Sequence, residues 1–345
     1  MKYRKSIYLA VAVLAISALA ACSNSGEESS KQQKQEASRY EIRFTSNLTQ
    51  LDTDATRAAG NFTSYTSGQV FWVWADMHDD LENETTSYFN AWQLTISTNT
   101  SKFTTNSIKM FPAYNKVSFY TVHGNFSEDF EEEQGENLGT PWPEVLTHTV
   151  KKDQVATADY QESDLVYAIN RNMQPSADPV TLEFKHLLAQ VEVALIPGNG
   201  LMASDLTSSL SDARATVELL TVKTKVEFRP SKEAEMDTYT KRELMLSNIS
   251  KVDTITIATV PTGDPATPTC GAAIVVPQTV DGKFIRINYL GHDTFVSVNN
   301  LRLKSGFRYR FNITVDRIGG EYSITPVVVA EWTEDEGGNR EAELE

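Results

Sequence analysis

The sequence has little cysteine, no excess of positive charge and none of the common catalytic or metal-binding motifs. Its two cysteines are Cys22 and Cys270, and its formal net charge is −15. Such acidity argues against a nucleic-acid partner, because phosphates are bound by basic side chains. The five histidines form no zinc-ligand spacing with each other or with the cysteines. Because the sequence also has no nucleophile elbow and no phosphate-binding loop, it predicts no catalytic residues, no metal and no cofactor.

The N-terminus carries the pattern of a bacterial export signal. Basic residues within Lys2–Lys5 precede an apolar run over residues 7–19, which is too short to serve comfortably as a transmembrane helix. The run ends in Leu-Ala-Ala-Cys, a lipobox whose small residues admit a peptidase and whose cysteine thiol takes a lipid. Residues 1–21 are therefore a predicted signal peptide. Cys22 is the predicted lipidation site, and it would anchor the chain to the outer membrane.

The segment after Cys22 is polar and predicts a flexible tether over residues 22–39. Removing the signal peptide with its three cations changes the net charge from −15 to −18, which suits a solvated cell-surface protein. With Cys22 lipidated, Cys270 has no partner cysteine for an intramolecular disulfide. The mature chain must therefore be stabilised by burial of a core, and Cys270 is interpreted as a small apolar residue.

Short apolar runs separated by turn residues recur through the mature chain and are typical of β-sandwiches. The run Val70–Trp74 is apolar on both faces and predicts a central strand. Between residues 180 and 195 the apolar phase shifts by one position at Leu187–Leu188, which predicts a bend or a crossing between sheets. Asn299–Asn300 has the composition of a hairpin turn. Other strands are predicted at 40–45, 91–96, 116–122, 165–168, 215–222, 254–260, 272–276, 284–289, 294–298, 308–315 and 322–330.

Residues 170–179 are polar, contain two prolines and predict a domain boundary. The expected organisation is an all-β chain of two sandwiches in tandem, over residues 40–177 and 178–345. The acidic stretches 128–136 and 333–345 are expected to be solvated.

A few polar and aromatic residues suggest specific roles. Asp76–Asp80 is the densest ligand-like cluster and is interpreted as a solvated loop rather than a cation site. His186 is expected to be a hydrogen-bonded core residue, and Trp72 and Trp74 are expected in the core. Trp142, which is flanked by prolines, is the best candidate for an exposed aromatic side chain. Asp253-Thr254-Ile255 resembles a three-residue O-glycosylation sequon.

Several features occur in an order that resembles the fimbrillin family, the subunits of type V pili. They are the lipobox, Thr-Arg-Ala within 55–59, the Phe-Lys-His-Leu-Leu-Ala-Gln-Val motif within 179–193, the alternating run 306–315, and the final run 324–332 that ends in tryptophan. The resemblance covers nearly the whole mature chain. It implies two transthyretin-like β-sandwiches and a structural or adhesive pilus subunit, with other pilus subunits as partners and a host or bacterial surface as a further ligand.

The resemblance also implies assembly by β-strand exchange. A protease would cut after Arg57 and release the first strand, residues 40–48, and a strand of another subunit would fill the groove. The implied donor residues are Ile324, Val327, Val329 and Trp332.

This sequence departs from the family pattern at its C-terminus, because residues 333–345 show no apolar alternation. A tip, minor or anchoring role therefore stands beside a stalk role. The alternative function is a surface glycan-binding lipoprotein of a polysaccharide-uptake system, which would use exposed aromatic side chains. An enzyme is the third class, and no residue constellation in the sequence supports it.

Overall fold

The computed structural model describes residues 40–48, 65, 68–79, 84–97, 102–202, 204–205, 215–257, 271–289, 291–318 and 321–329. Strands dominate these residues, and they form several sheets. Short helices, among them α1 (Thr157–Ser163) and α2 (Tyr239–Glu243), interrupt the strands. The all-β prediction is confirmed. Within the described residues, no helix has the length and apolar character needed to cross a membrane.

The first half of the chain is built on a six-stranded sheet. The sheet comprises β2 (Val70–Asp79), β3 (Glu84–Ile96), β4 (Phe103–Thr105), β5 (Lys116–His123), β7 (Val166–Met173) and β9 (Lys185–His186). Its strand order is β4-β3-β2-β5-β7-β9, and the central strand β2 contains Val70–Trp74, as the two-sided apolar pattern predicts. A separate two-stranded parallel sheet pairs β1 (Phe44–Ser46) with β8 (Val180–Leu182).

The second half contains two further sheets. Their strands are β10 (Ala189–Pro197), β11 (Ala215–Phe228), β12 (Leu246–Thr256), β13 (Gly271–Val275), β14 (Gln278–Tyr289), β15 (His292–Leu303), β16 (Arg308–Ile318) and β17 (Glu321–Val329). The two strand orders are β13-β10-β16-β17 and β12-β11-β14-β15. An additional strand from the first half, β6 (Leu146–Thr149), pairs with β11 and so enters the second of these sheets.

The chain changes sheets at Leu187–Leu188, where the apolar phase shifts. β9 pairs with β7 in the first half, whereas β10 pairs with β13 and β16 in the second. The predicted crossing is confirmed. Because β8 and β9 still pair with first-half strands, the change of sheets comes about ten residues after the predicted boundary at 178. The division into two domains stays a prediction.

Two hydrophobic cores flank the six-stranded sheet. One is rich in aromatic side chains and contains Phe44, Phe71, Trp92, Phe119 and Phe184. The other is mostly aliphatic and continues from the opposite face of the sheet into the second half. A sheet that buries both faces joins the two halves through shared apolar contacts.

The Asn299–Asn300 turn prediction is wrong. Both residues lie within β15, where the backbone of Asn300 has a φ of 50° and its N–H donates to the Asp281 carboxylate (3.0 Å). The facing strand shifts register between Val280 and Gly282. Asparagine tolerates a left-handed backbone in a β-bulge as well as in a turn, so its presence does not distinguish them.

Candidate functional site

The first strand lies between two walls of backbone. On one side, β1 runs parallel to β8 with three residue pairs, from Phe44–Val180 to Ser46–Leu182. The Val180 N–H donates to the Arg43 carbonyl (2.8 Å), which extends the contact beyond β1 itself. The β8 wall therefore supplies a parallel ladder along the middle of residues 40–48.

The other wall is antiparallel and belongs to the segment that precedes β5. The Ile42 N–H donates to the Lys109 carbonyl (2.9 Å), and the Phe111 N–H donates to the Tyr40 carbonyl (2.9 Å). An isolated bridge also joins Thr45 to Lys102. Removal of residues 40–48 would therefore leave unpaired backbone groups on both sides, which is the chemistry that an added strand recognises.

Side chains of the first strand point alternately into the aromatic core. Ile42, Phe44 and Leu48 are only 2%, 4% and 2% exposed, whereas Glu41 and Arg43 face solvent. The Phe44 ring lies 5.1 Å from the Phe119 ring and 5.7 Å from the Trp92 ring. Burial of each large apolar side chain contributes about 1.5–3 kcal/mol, so side-chain packing holds this strand strongly.

Asn47 adds a polar contact that local sequence patterns do not reveal. Its Oδ1 accepts a hydrogen bond from the Phe184 N–H (3.0 Å), and its Nδ2 donates to the Phe184 carbonyl (3.4 Å). The amide thus pairs with a backbone group 137 residues away, at the end of the groove. The local sequence does not indicate this contact, because asparagine is common in loops whether or not it binds a distant backbone group.

Tyr65, Asp164 and His186 form a buried polar cluster in the first half of the chain. The Asp164 Oδ2 accepts a hydrogen bond from the Tyr65 hydroxyl (2.9 Å) and another from His186 Nδ1 (2.7 Å). His186 is buried, so its prediction as a hydrogen-bonded core histidine is confirmed. His123 lies beside the cluster, with its two ring nitrogens 2.7 Å from the Val70 carbonyl and 3.0 Å from the Gln161 carbonyl.

Burial and neighbouring groups shift the pKa values of Asp164 and Tyr65 in this cluster. Burial alone would raise the pKa of Asp164, but the charge and hydrogen bond of His186, the hydrogen bond of Tyr65 and the charge of His123 outweigh burial and lower it. Burial, together with the neighbouring Asp164 carboxylate, raises the pKa of Tyr65 well above its ordinary value. The tyrosine therefore stays a donor and the carboxylate stays an acceptor at neutral pH.

The last described strand, β17, lies at the edge of its sheet. It runs antiparallel to β16 with nine residue pairs, from Arg310–Val329 to Ile318–Glu321. Ile324, Val327 and Val329 belong to this strand. The other predicted site residues, Cys22, Arg57 and Trp332, lie outside the described residues.

Trp142, the best candidate for an exposed aromatic side chain, is only partly exposed. Its ring packs 5.4 Å from the Trp74 ring and 5.3 Å from the Tyr120 ring. Lys232 from the second half lies over the same aromatic group, 5.4 Å from the Trp142 ring centre. Apolar burial and the cation–π contact draw the indole inward, although the flanking prolines place it in a loop.

The prediction of a solvated loop at Asp76–Asp80 is wrong for Asp76–Asp79, which belong to β2. Asp76 is buried and pairs with the Lys232 ammonium at 2.6 Å. Asp80 lies outside the described residues. No group of three or more potential metal ligands occurs among the residues that the structure describes. Thr254 of the possible sequon lies in the edge strand β12 and is partly exposed.

Comparison with known proteins finds solved structures that share this fold. No curated protein matches the sequence significantly. Among solved structures, a candidate cell adhesion protein from Bacteroides ovatus has a TM-score of 0.55 at 17% identity, over 86% of this chain and 98% of that chain. Another from Bacteroides uniformis has a TM-score of 0.53 at 13% identity, over 84% and 96%. At such identities the similarity is one of fold.

The family profile described as fimbrillin-like matches residues 56–332, which is most of the chain. This range includes Arg57 and the strands from β2 to β17, whereas residues 40–48 lie before it. The profile match agrees with the ordered motifs of the sequence, and the chain belongs to the fimbrillin-like family.

Proposed function

We propose that this chain is a structural and adhesive subunit of a cell-surface pilus. It is exported as a lipoprotein anchored to the outer membrane through Cys22, cut after Arg57, and assembled by β-strand exchange. Membership of the fimbrillin-like family supports the pilus role. The role is structural rather than catalytic, and the partners are other pilus subunits.

The geometry of residues 40–48 is the observation that carries strand exchange. Backbone groups of this segment bond to β8 on one side and to residues 109–111 on the other, while Ile42, Phe44 and Leu48 fill the aromatic core. A donor strand would regain both kinds of contact, since alternate side chains give specificity and main-chain hydrogen bonds give affinity.

Arg57 is well placed in the sequence to release this strand. It follows the last core residue of the strand, Leu48, and precedes Tyr65 and the start of β2 at Val70. A cut after Arg57 would separate residues 40–48 from the rest of the chain without interrupting a described strand. A cut after Arg43 would leave Phe44 and Leu48 attached to the body.

The proposed donor residues are Ile324, Val327, Val329 and Trp332 of another subunit. In the single chain, β17 is paired with β16 over nine residues. Donation therefore requires β17 to leave that edge, and the ladder that it forms in the next subunit must replace the bonds it loses.

The first test is limited trypsin digestion of the mature protein without lipid, followed by N-terminal sequencing and size-exclusion chromatography. Cleavage after Arg57 and a ladder of oligomers are the expected results. Arg57→Gln should remove both, and Arg43→Gln is the matched control that should preserve both. A wild-type protein that is cut after Arg57 and remains a stable monomer would contradict assembly by strand exchange.

The lipid anchor has its own test. Incorporation of labelled palmitate in the producing bacterium should be lost in Cys22→Ser, and the protein should leave the membrane fraction. Equal labelling of the wild type and the variant would exclude Cys22 as the lipidation site.

The alternative, a glycan-binding lipoprotein, has less structural support. A sugar platform needs exposed aromatic rings, whereas Trp142 packs against Trp74 and Tyr120 and carries Lys232 above it. The pilus role is therefore preferred.

A further inference from the structure

Tyr65 is the first residue after the proposed cleavage site that the structure describes, and it lies eight residues beyond Arg57. Its side chain is buried, with a residual exposure of 7%. The ring lies 5.3 Å from the Phe71 ring and 5.0 Å from the His123 ring, both in edge-to-face geometry. A large side chain held this way fixes the backbone to which it is attached.

The Tyr65 hydroxyl connects three separate parts of the chain. It donates to Asp164 Oδ2 (2.9 Å), directly after α1, and the same oxygen accepts a hydrogen bond from His186 Nδ1 (2.7 Å) in β9. His186 lies next to Leu187–Leu188, where the chain crosses into the second half. The contact therefore joins the segment after the cleavage site to the crossing between sheets.

Tyr65 and His186, the two donors, and Asp164, the acceptor, form a triad whose members all stay on the same fragment after cleavage. Tyr65, Asp164 and His186 are C-terminal to Arg57, whereas Ile42, Phe44 and Leu48 are N-terminal to it. The triad can therefore persist when the first strand leaves. A hydrogen bond to a buried carboxylate is also stronger than one between neutral groups.

We propose that Tyr65 is the anchor that holds the new chain end on the body after cleavage, and that Asp164 and His186 position its hydroxyl. This inference rests on the proposed cleavage after Arg57. Tyr65 acts as a positioning residue, because it keeps the start of β2 and the adjoining end of the groove in place for the incoming strand.

The anchor should matter more in the cut chain than in the intact chain. Before cleavage, Tyr65 is covalently connected to the first strand upstream and to β2 downstream. Cleavage removes the upstream connection, and chain ends fray unless side chains or hydrogen bonds hold them. An ordinary core contact would instead contribute equally in both states.

The test compares hydrogen–deuterium exchange in peptides that cover residues 68–79, before and after the cut. A recognition site for a sequence-specific protease is placed after residue 57, so that the cut does not depend on native maturation. The variants are Tyr65→Phe and, as a matched control, Tyr289→Phe, whose hydroxyl donates to the Asp205 carbonyl (3.5 Å) in the second half.

In cut Tyr65→Phe, exchange in these peptides should be at least about tenfold faster than in the cut wild type, as expected for one lost hydrogen bond to a charged acceptor. In the intact chain the same substitution should change exchange by less than about threefold, because both flanks still hold the segment. Tyr289→Phe should leave these peptides unchanged in both states.

An equal effect of Tyr65→Phe before and after the cut would overturn the anchor and make Tyr65 an ordinary core residue. If Tyr65→Phe does not fold, Asp164→Asn replaces it, because this change weakens the acceptor while keeping its shape. A wild type that is cut at Arg57 yet forms no oligomers would reject strand exchange. The hydrogen–deuterium exchange of cut wild type and cut Tyr65→Phe would still decide whether Tyr65 holds the new chain end.

Discussion

The first and last strands of the described chain differ in their backbone pairing. β1 has three ladder pairs with β8, but side chains of its segment are deeply buried in an aromatic core. β17 has nine ladder pairs with β16 and forms the edge of its sheet. Buried side chains help to hold the first strand, and a long backbone ladder pairs the last strand along one side.

This difference matters for exchange between subunits. A strand that replaces residues 40–48 has to supply apolar side chains, since those contribute most to holding the original strand. A strand that leaves β16 gives up ladder hydrogen bonds, which it can form again in any groove with free backbone groups. A strand that fills the groove left by residues 40–48 therefore needs apolar side chains, and a strand released from β16 brings free backbone groups that can pair in that groove.

The largest expected effect comes from removing a buried side chain of the first strand. Phe44→Ala should lower the free energy of unfolding by about 3–5 kcal/mol, because it removes an aromatic ring packed between Trp92 and Phe119 and leaves a cavity. Urea denaturation followed by tryptophan fluorescence measures this, since Trp92 lies in the affected core.

The matched control for Phe44→Ala is Glu41→Ala, at an exposed position of the same segment. Its effect should stay within about 0.5 kcal/mol. A loss below about 1 kcal/mol for Phe44→Ala would mean that side-chain burial does not hold the first strand.

A smaller effect should come from acid, through His148 in β6. Burial lowers the pKa of His148 from 6.5 to about 4, and this outweighs its hydrogen bond to the Ser163 carbonyl and the charge of Asp164. The unfolded chain therefore binds a proton between these values that the folded chain does not. Stability should fall as pH decreases from about 6.5 to about 4, by up to about 3 kcal/mol.

Unfolding free energies of wild type and His148→Gln over this range measure the effect. The glutamine variant should show a flatter profile, because it has no imidazole to titrate. The lowered pKa of Asp164 has a separate signature, since its stabilisation is lost only as pH falls through the value it has in the folded protein. Parallel profiles for the two proteins would exclude His148 as the source of acid sensitivity.

Local patterns predicted the parts of the fold that depend on alternating burial. Val70–Trp74 is central because both of its faces are apolar, and the crossing at Leu187–Leu188 follows from a phase shift that a single sheet could not accommodate. Both are properties of neighbouring residues, so the sequence alone contains them.

Contacts between distant residues could not be predicted in the same way. Asn47 meets Phe184 across 137 residues, and Tyr65 meets Asp164 across 99 residues. The acidic stretch 128–136 is mostly exposed as expected, yet Glu132 accepts a hydrogen bond from the Gln93 N–H (2.7 Å) in β3. A carboxylate that binds a strand edge has the same local composition as a solvated one, so only the fold distinguishes them.

The smallest expected effect tests whether β17 is held by its backbone. Pro326 already lies in β17, and proline has no N–H, so its nitrogen is expected to face away from β16. Because the direction of the backbone N–H alternates along a strand, the Val327 N–H should face β16 and the Val328 N–H should face away.

Val327→Pro should therefore lower stability by about 1–2 kcal/mol, as expected for a lost ladder bond and an unsatisfied acceptor on Asn312. Val328→Pro, the matched control, should cost clearly less. Equal losses in urea denaturation would show that the ladder to β16 does not dominate, and β17 would then resemble β1 in how it is held.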